Sequence, residues 1–296
     1  MSKVSLVMGT MGRANEPLKF LDSLAKQTQP AHELIIVDQN EDERLATVDA
    51  YAKALNIPTQ RIKESIKNLA HARNIGITKS TGDIIGFPDD DCWYEPDVIE
   101  HVVDEFNKNP GIDLICGTWL EAPAQHQPRG PVSIKELLDF KSVHINSISI
   151  FIRKKAIYEL KGFDPRLGSG QYYGAGEESD LVFRLAIKGK QLFFAPQINV
   201  HHPYSEVSTQ HYARIRAYSR GTGAVYAKLK LPIGIILRGI VAPIIRFFLP
   251  PYLLSNKLNN IHQFIGRLEG LLTWQRRFGR GVSTWNNHND AILFDK

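Results

Sequence analysis

Thr81-Gly-Asp-Ile-Ile-Gly-Phe-Pro-Asp-Asp-Asp91 decides how this chain is read. Ile84, Ile85 and Phe87, opened by a Thr-Gly turn, predict a short buried strand. It runs into three consecutive carboxylates. In extended backbone side chains alternate, so Asp89 and Asp91 are expected on one side and Asp90 on the other. Two converging carboxylates raise each other's pKa unless a cation lies between them. A hard divalent ion, Mg²⁺ or Mn²⁺, held by carboxylate together with substrate phosphate resolves that conflict. The plainer alternative is a solvated acidic turn before a helix, with Pro96 in its first turn.

The segments around this stretch alternate strand and helix. Val4–Met8 and Leu34–Val37 are compact apolar runs, and Gln60–Glu64 is a weaker one. Between them lie helical stripes: Leu18, Leu21, Leu24 and Ala25 after Asn15 and Pro17, then Leu45, Val48, Ala52 and Leu55. Further helices are expected over about Leu69–Lys79 and Pro96–Phe106, the latter stopped by Asn109-Pro-Gly111. Such repetition predicts an α/β fold, a mostly parallel central sheet flanked by helices. Ligands of these sheets sit at the carboxyl ends of the strands, where Thr10, Asp38 and Asp89 are expected to gather. Beyond Ile112–Trp119 the pattern loosens. Ala122–Pro131 has loop composition, Ser147–Ile152 and Gln191–Ala195 read as strands, and Gly168–Gly176 reads as a mobile Gly/Tyr loop that closes over substrate.

With 296 residues, 43% hydrophobic and 23% charged, the chain can bury a large core and wholesale disorder is excluded. Cys92 and Cys116 are the only cysteines, too few for a disulfide framework, and the N-terminus lacks the apolar core of a signal peptide. A reducing cytoplasm fits. The net charge of +5 is unevenly spread. Residues 211–296 carry 13 Lys or Arg against three Asp or Glu, leaving 23 against 28 in the first 210 residues. We therefore expect a catalytic domain over 1–210 and a basic, apolar helical region over 211–296 that meets a membrane surface or another subunit.

Five segments, in order over about residues 3–203, resemble the family-two glycosyltransferases, inverting enzymes of the GT-A fold that use nucleotide-sugar donors. They are Val4–Arg13 with its Thr-x-x-Arg, Glu33–Asp38, Asn68–Gly76, Thr81–Asp91 with a DxD motif, and Glu177-Glu-Ser-Asp-Leu181. The resemblance is to a bacterial, membrane-associated type. It departs in lacking a Pro before Thr10 and in placing Glu178 where the family usually has Asp.

What the resemblance implies is attack by an acceptor hydroxyl on the anomeric carbon of a sugar nucleotide. Thr10, Arg13, Asp38, Arg73, Asp89 and Asp90 are then nucleotide-binding, with Asp38 on the base and Arg73 near base or phosphate. Asp91 holds the divalent Mn or Mg ion, with His202 as a second ligand in preference to His201. Glu178 becomes the catalytic base, ionised at a helix start. Glu177 and Asp180 lie on the acceptor side, and which of the three carboxylates faces the acceptor stays open. The implied partners are a nucleotide-sugar donor (a UDP-sugar is favoured), a saccharide or lipid-linked acceptor in surface polysaccharide or glycolipid assembly, and no nucleic acid. A homo-oligomer is left open.

Residues 231–254 are apolar, but Arg238 and Arg246 interrupt them at roughly 2.5–3.5 kcal/mol per central Arg, and Pro243, Pro250 and Pro251 break them further. An interfacial helix pair on anionic lipid suits this region, which places the protein peripherally on the inner face of the cell membrane. Two other classes compete with this one. A sugar nucleotidyltransferase needs a longer, more basic glycine loop than Gly9–Arg13. A nucleic-acid-binding protein is disfavoured by the aliphatic character of the tail and by the acidic body.

Overall fold

The computed structural model describes residues 2–122, 129–139, 145–203, 211–249 and 257–279. Residues 123–128 of the expected loop, and 250–256 and 280–296 of the expected helical region, lie outside them. The described residues form two compact units: 2–163 with 181–203, and 164–180 with 211–279. The composition of the sequence places the division at residue 210. The difference is the segment 164–180, which joins the helical unit because its ion pairs and aromatic contacts are made there.

In the first unit β1 (Val4–Thr10), β2 (Glu33–Asp38), β3 (Thr59–Lys63) and β4 (Ile84–Gly86) lie parallel in the order β3-β2-β1-β4. The helices linking them are α1 (Glu16–Ala25), α2 (Ala46–Ala54) and α3 (Leu69–Lys79). Gly76 lets α3 press onto β1, since a Cβ there would overlap the Val7 side chain. Three of the helical stripes are observed as expected, but α4 (Val98–Lys108) begins two residues beyond Pro96, behind Asp97.

The rest of the sheet is mixed. Next to β4 come β8 (Ile150–Arg153), β6 (Ile112–Trp119), β9 (Gln191–His201) and β5 (Trp93–Tyr94), while β7 (Gly130–Val132) also pairs with β9. β8 runs antiparallel to both neighbours, and β6 and β9 are parallel. Gly130 and Pro131, read as loop, are therefore strand. β9 reaches His201 because an irregularity opposite Cys116–Thr118 absorbs Pro196 and Gln197 and lets pairing resume at Asn199. Short helices α5 (Ile134–Asp139) and α6 (Lys154–Glu159) precede α7 (Glu177–Ile187). Leu6, Met8, Ile36, Phe106 and Phe151 are fully or nearly fully buried in the core between sheet and helices.

The second unit is built on α8 (His211–Lys228), α9 (Ile233–Phe248) and α10 (Lys257–Phe278). A single helix occupies 233–248 with Pro243 inside it, in place of the expected break. None of the described helices is long and apolar enough to cross a membrane.

Candidate active site

The parallel strands deliver their ends to one edge. Thr10 and Asp38 are register partners at the ends of β1 and β2, and Lys63 pairs with Asp38 at the end of β3. Asp38 is wholly buried, and its carboxylate meets Arg61 and Lys63 at 3.0 Å each. The Asn40 backbone N–H and side-chain amide donate to it at 2.9 and 2.8 Å. Burial alone would raise its pKa, but these four donors outweigh it and hold the carboxyl below its usual range. Asn40 also accepts from the Gly12 N–H at 2.6 Å, tying the β1 loop to the β2 loop.

Arg61, Lys63 and Asn40, which surround Asp38, are candidate-site residues that the sequence did not single out. Their signal was period-two alternation in Thr59–Lys63, which puts Arg61 and Lys63 on one face of an edge strand beside Asp38.

The carboxylate triplet departs from the expected alternation. β4 ends at Gly86 and the three residues follow a turn, in which the Cys92 N–H reaches the Asp89 carbonyl at 3.4 Å. Asp89 turns to Arg73, 3.0 Å away, and Arg73 is 1% exposed. Asp90 and Asp91 instead share Arg13, at 3.7 and 2.8 Å. Asp90 also accepts from the Thr10 hydroxyl at 2.6 Å, yet its burial dominates and pushes its pKa up to about 6.

Arg73 is placed by α3, whose N-cap Asn68 accepts from the His71 N–H at 3.0 Å. One turn of that helix also carries buried Asn74, which exchanges hydrogen bonds of 2.8 and 2.9 Å with the Phe163 backbone. That fixes the Phe163 ring 5.5 Å from the Arg73 guanidinium.

The two histidines at the end of β9 separate cleanly. His201 lies between Glu121 at 2.7 Å and Glu95 at 2.6 Å and stacks on Trp93. Burial would lower its pKa, but the two carboxylates raise it. His202 lies on the other side, with Nε2 2.9 Å from Asp91 Oδ1. That contact raises the imidazole pKa and lowers that of Asp91. The His202 backbone is anchored by its N–H to Glu121 at 3.1 Å and by its carbonyl to the Trp119 indole at 3.0 Å.

Among the described residues there is no group of three or more His, Cys, Asp or Glu arranged to hold a metal ion. Asp91 and His202 nevertheless converge as one oxygen and one nitrogen donor. This donor set fits Mn²⁺ or Mg²⁺ provided that ligand oxygens complete the shell.

Glu177, Glu178 and Asp180 open α7, within the second unit. Asp180 is fully buried and paired at 2.6 Å with Lys228, which is itself fully buried and 2.7 Å from Asp164. Arg166 also binds Asp164, at 2.7 Å. Asp180 is thus a member of a buried ion-pair cluster. Glu177 is buried and Glu178 half-buried. In the preceding Gly168–Gly176 segment the Gly168 N–H donates to the Tyr173 carbonyl at 2.9 Å, and Tyr173 is buried.

Strand ends that gather a paired aspartate and an acidic turn beside a four-strand parallel half define a GT-A-like fold. Solved structures agree. A mannosyltransferase from Pyrobaculum calidifontis in complex with GDP-Man and Mn²⁺ superposes with a TM-score of 0.66 at 13% identity, over 92% of this chain and 88% of that one. S. aureus TarS 1–349 in complex with UDP-GlcNAc gives 0.60 at 11% identity, over 93% and 92%.

Residues 5–160 match Glycosyl transferase family 2, and the chain belongs to that family. It is a glycosyltransferase. A Haloferax volcanii protein named glucosyl-dolichyl phosphate glucuronosyltransferase is 24% identical over 70% of this chain and 71% of its own length. An uncharacterized glycosyltransferase of Haemophilus influenzae is 31% identical over 38% of this chain and 37% of its own.

Proposed function

We propose that the enzyme is a metal-dependent, inverting transferase that moves a sugar from a nucleoside-diphosphate donor to a hydroxyl on a saccharide or lipid-linked acceptor. One observation carries this reading: Asp38 with Arg61 and Lys63, and the 89–91 carboxylates with Arg73, Arg13 and His202, meet at one sheet edge. Asp38 and Asn40 present acceptors and an amide to a base, and uracil is favoured. Asp89 takes the ribose hydroxyls, while Arg73 and Arg13 offer cations to phosphate. Asp91 and His202 would hold the divalent ion, which when bound supplies positive charge to the leaving diphosphate.

In the transfer the acceptor oxygen bonds to the anomeric carbon from the face opposite the diphosphate. The carbon–oxygen bond to phosphate breaks, and the acceptor's proton passes to the Glu178 carboxylate. Nucleoside diphosphate leaves with the bonding electron pair, inverting the centre. The Pyrobaculum neighbour's Mn²⁺ supports the cofactor, and the name of the Haloferax relative supports a lipid-linked acceptor.

The test is a panel of UDP- and GDP-sugars with Mn²⁺, read by mass spectrometry for donor cleavage and transfer. Cleavage of one donor, lost in Asp91→Asn, is expected. If no sugar nucleotide is cleaved, while sugar phosphate and nucleoside triphosphate yield pyrophosphate, this donor reading fails.

A further inference from the structure

Helix α9 presents an apolar face that no other described residue of the second unit covers. Ile233, Leu237, Val241 and Ile245 recur every four residues and so share one side of the helix, with Phe248 continuing it. Ile233 is 70% and Phe248 76% exposed, and the other three are exposed as well. The side that packs inward carries buried Pro243 and, at its border with the stripe, buried Ile240, and Gly239 lies against the Tyr226 ring. The stripe is therefore not a core face misplaced; the helix already has one. At its start, Ile233 also lines an apolar cleft of about 260 Å³ with Leu231, Ile236 and Leu271.

Charge selects the occupant. Residues 229–249 contain no Asp or Glu but carry Lys230, Arg238 and Arg246. Lys230 and Arg238 are exposed. The only acid among the described residues of 211–279 is Glu269, already bound to Arg216 and Arg220 at 2.9 and 3.1 Å. A protein face meeting this stripe would have to be both apolar and acidic. A bilayer with anionic headgroups supplies both properties at the right depths. The 16-residue helix is about 24 Å long, short of the roughly 30 Å hydrocarbon thickness, so it suits lying in the interface.

We propose that α9 docks the enzyme on an anionic membrane surface, with Ile233, Leu237, Val241, Ile245 and Phe248 dipping below the headgroups and Lys230, Arg238 and Arg246 binding lipid phosphate. This is independent of the donor reading.

The experiment co-sediments the full chain with phosphatidylcholine vesicles, with and without phosphatidylglycerol. Binding is expected only with the anionic lipid, falling as salt rises. Ile245→Asp/Phe248→Asp should weaken binding more than about tenfold, because two large apolar groups lose their burial. UDP binding, measured on the same preparations, should not change.

A fluorophore on Phe248→Cys should shift to the blue when vesicles are added, a readout that does not depend on the folding of the aspartate variant. Equal binding to neutral vesicles, an unshifted fluorophore, or a wild-type dimer that the double substitution dissociates without any vesicle binding would each overturn the proposal.

Discussion

Asp38 is a buried carboxylate held by two cations and an amide. Its two cations lie on an edge strand and are partly exposed, Arg61 at 18% and Lys63 at 38%, so solvent screens part of their attraction. Asp38→Asn keeps the shape and removes the charge that fixes Arg61 and Lys63. A charge-assisted hydrogen bond is worth about 1.5–3 kcal/mol, so UDP affinity measured by calorimetry should fall by about 10- to 150-fold. An unchanged affinity would remove Asp38 from the nucleotide site. Glu178→Gln should do the opposite, leaving UDP affinity intact while turnover drops by about 10²–10⁴-fold. Asp38 was legible because an apolar strand ended on it. Its partners were not: Arg61 and Lys63 belong to a half-buried strand whose charges read as ordinary solvated side chains. The pairing of Asp90 with Asp91 on Arg13 was hidden for another reason. Alternation holds only in extended backbone, and the triplet lies in a turn.

At the scale of elements, strands and helices of the first half were readable because their apolar periods are short-range properties. The helical region beyond residue 210 was readable too, but its packing was not, since that lies between residues far apart in sequence. Asp180 meets Lys228 across 48 positions, and both are fully buried with Asp164. Burial would raise the Asp164 pKa, but Lys228 and Arg166 overcome it and lower it strongly. A depressed carboxylate contributes stability above its unfolded pKa, near 4, and that contribution is lost as pH falls below this value. Lys228→Met leaves two buried carboxylates without their shared cation and should cost roughly 3–5 kcal/mol in denaturant unfolding at neutral pH. A loss below about 1 kcal/mol would mean that Arg166 alone compensates the cluster. The α8–α10 contact is similarly unreadable from hydropathy, because it is made by glycines. A Cβ on Gly270 would fall on the Arg220 carbonyl oxygen, and one on Gly223 on the Arg267 carbonyl oxygen. Gly270→Val must therefore push the two helices apart. We expect a loss of about 1–3 kcal/mol, the usual range for overpacking.

For the whole molecule, the sequence showed where charge accumulates but not how the site balances it. Without ligand, Arg13 spans Asp90 and Asp91, Arg73 holds Asp89, Arg61 and Lys63 hold Asp38, and His202 holds Asp91. A divalent ion arriving alone must displace Arg13 from Asp91, leaving the guanidinium beside it without its carboxylate. A nucleoside diphosphate arriving alone adds negative oxygens next to three aspartates. Together each supplies what the other's binding exposes: phosphate for the released Arg13, metal for Asp91. The two ligands should bind cooperatively, and the full chain's thermal midpoint reports the sum. At about 100 times its dissociation constant a ligand adds about 2.7 kcal/mol, which for a chain of this size raises the midpoint by about 4 °C. UDP with Mn²⁺ should give such a shift, while either alone at the same concentration gives less than about a third of it. Asp91→Asn should remove the excess and leave the small shift with UDP. If Mn²⁺ alone produced the full rise, the ion would have a complete set of protein ligands, and the shared role of Asp91 and His202 with donor oxygens would be wrong.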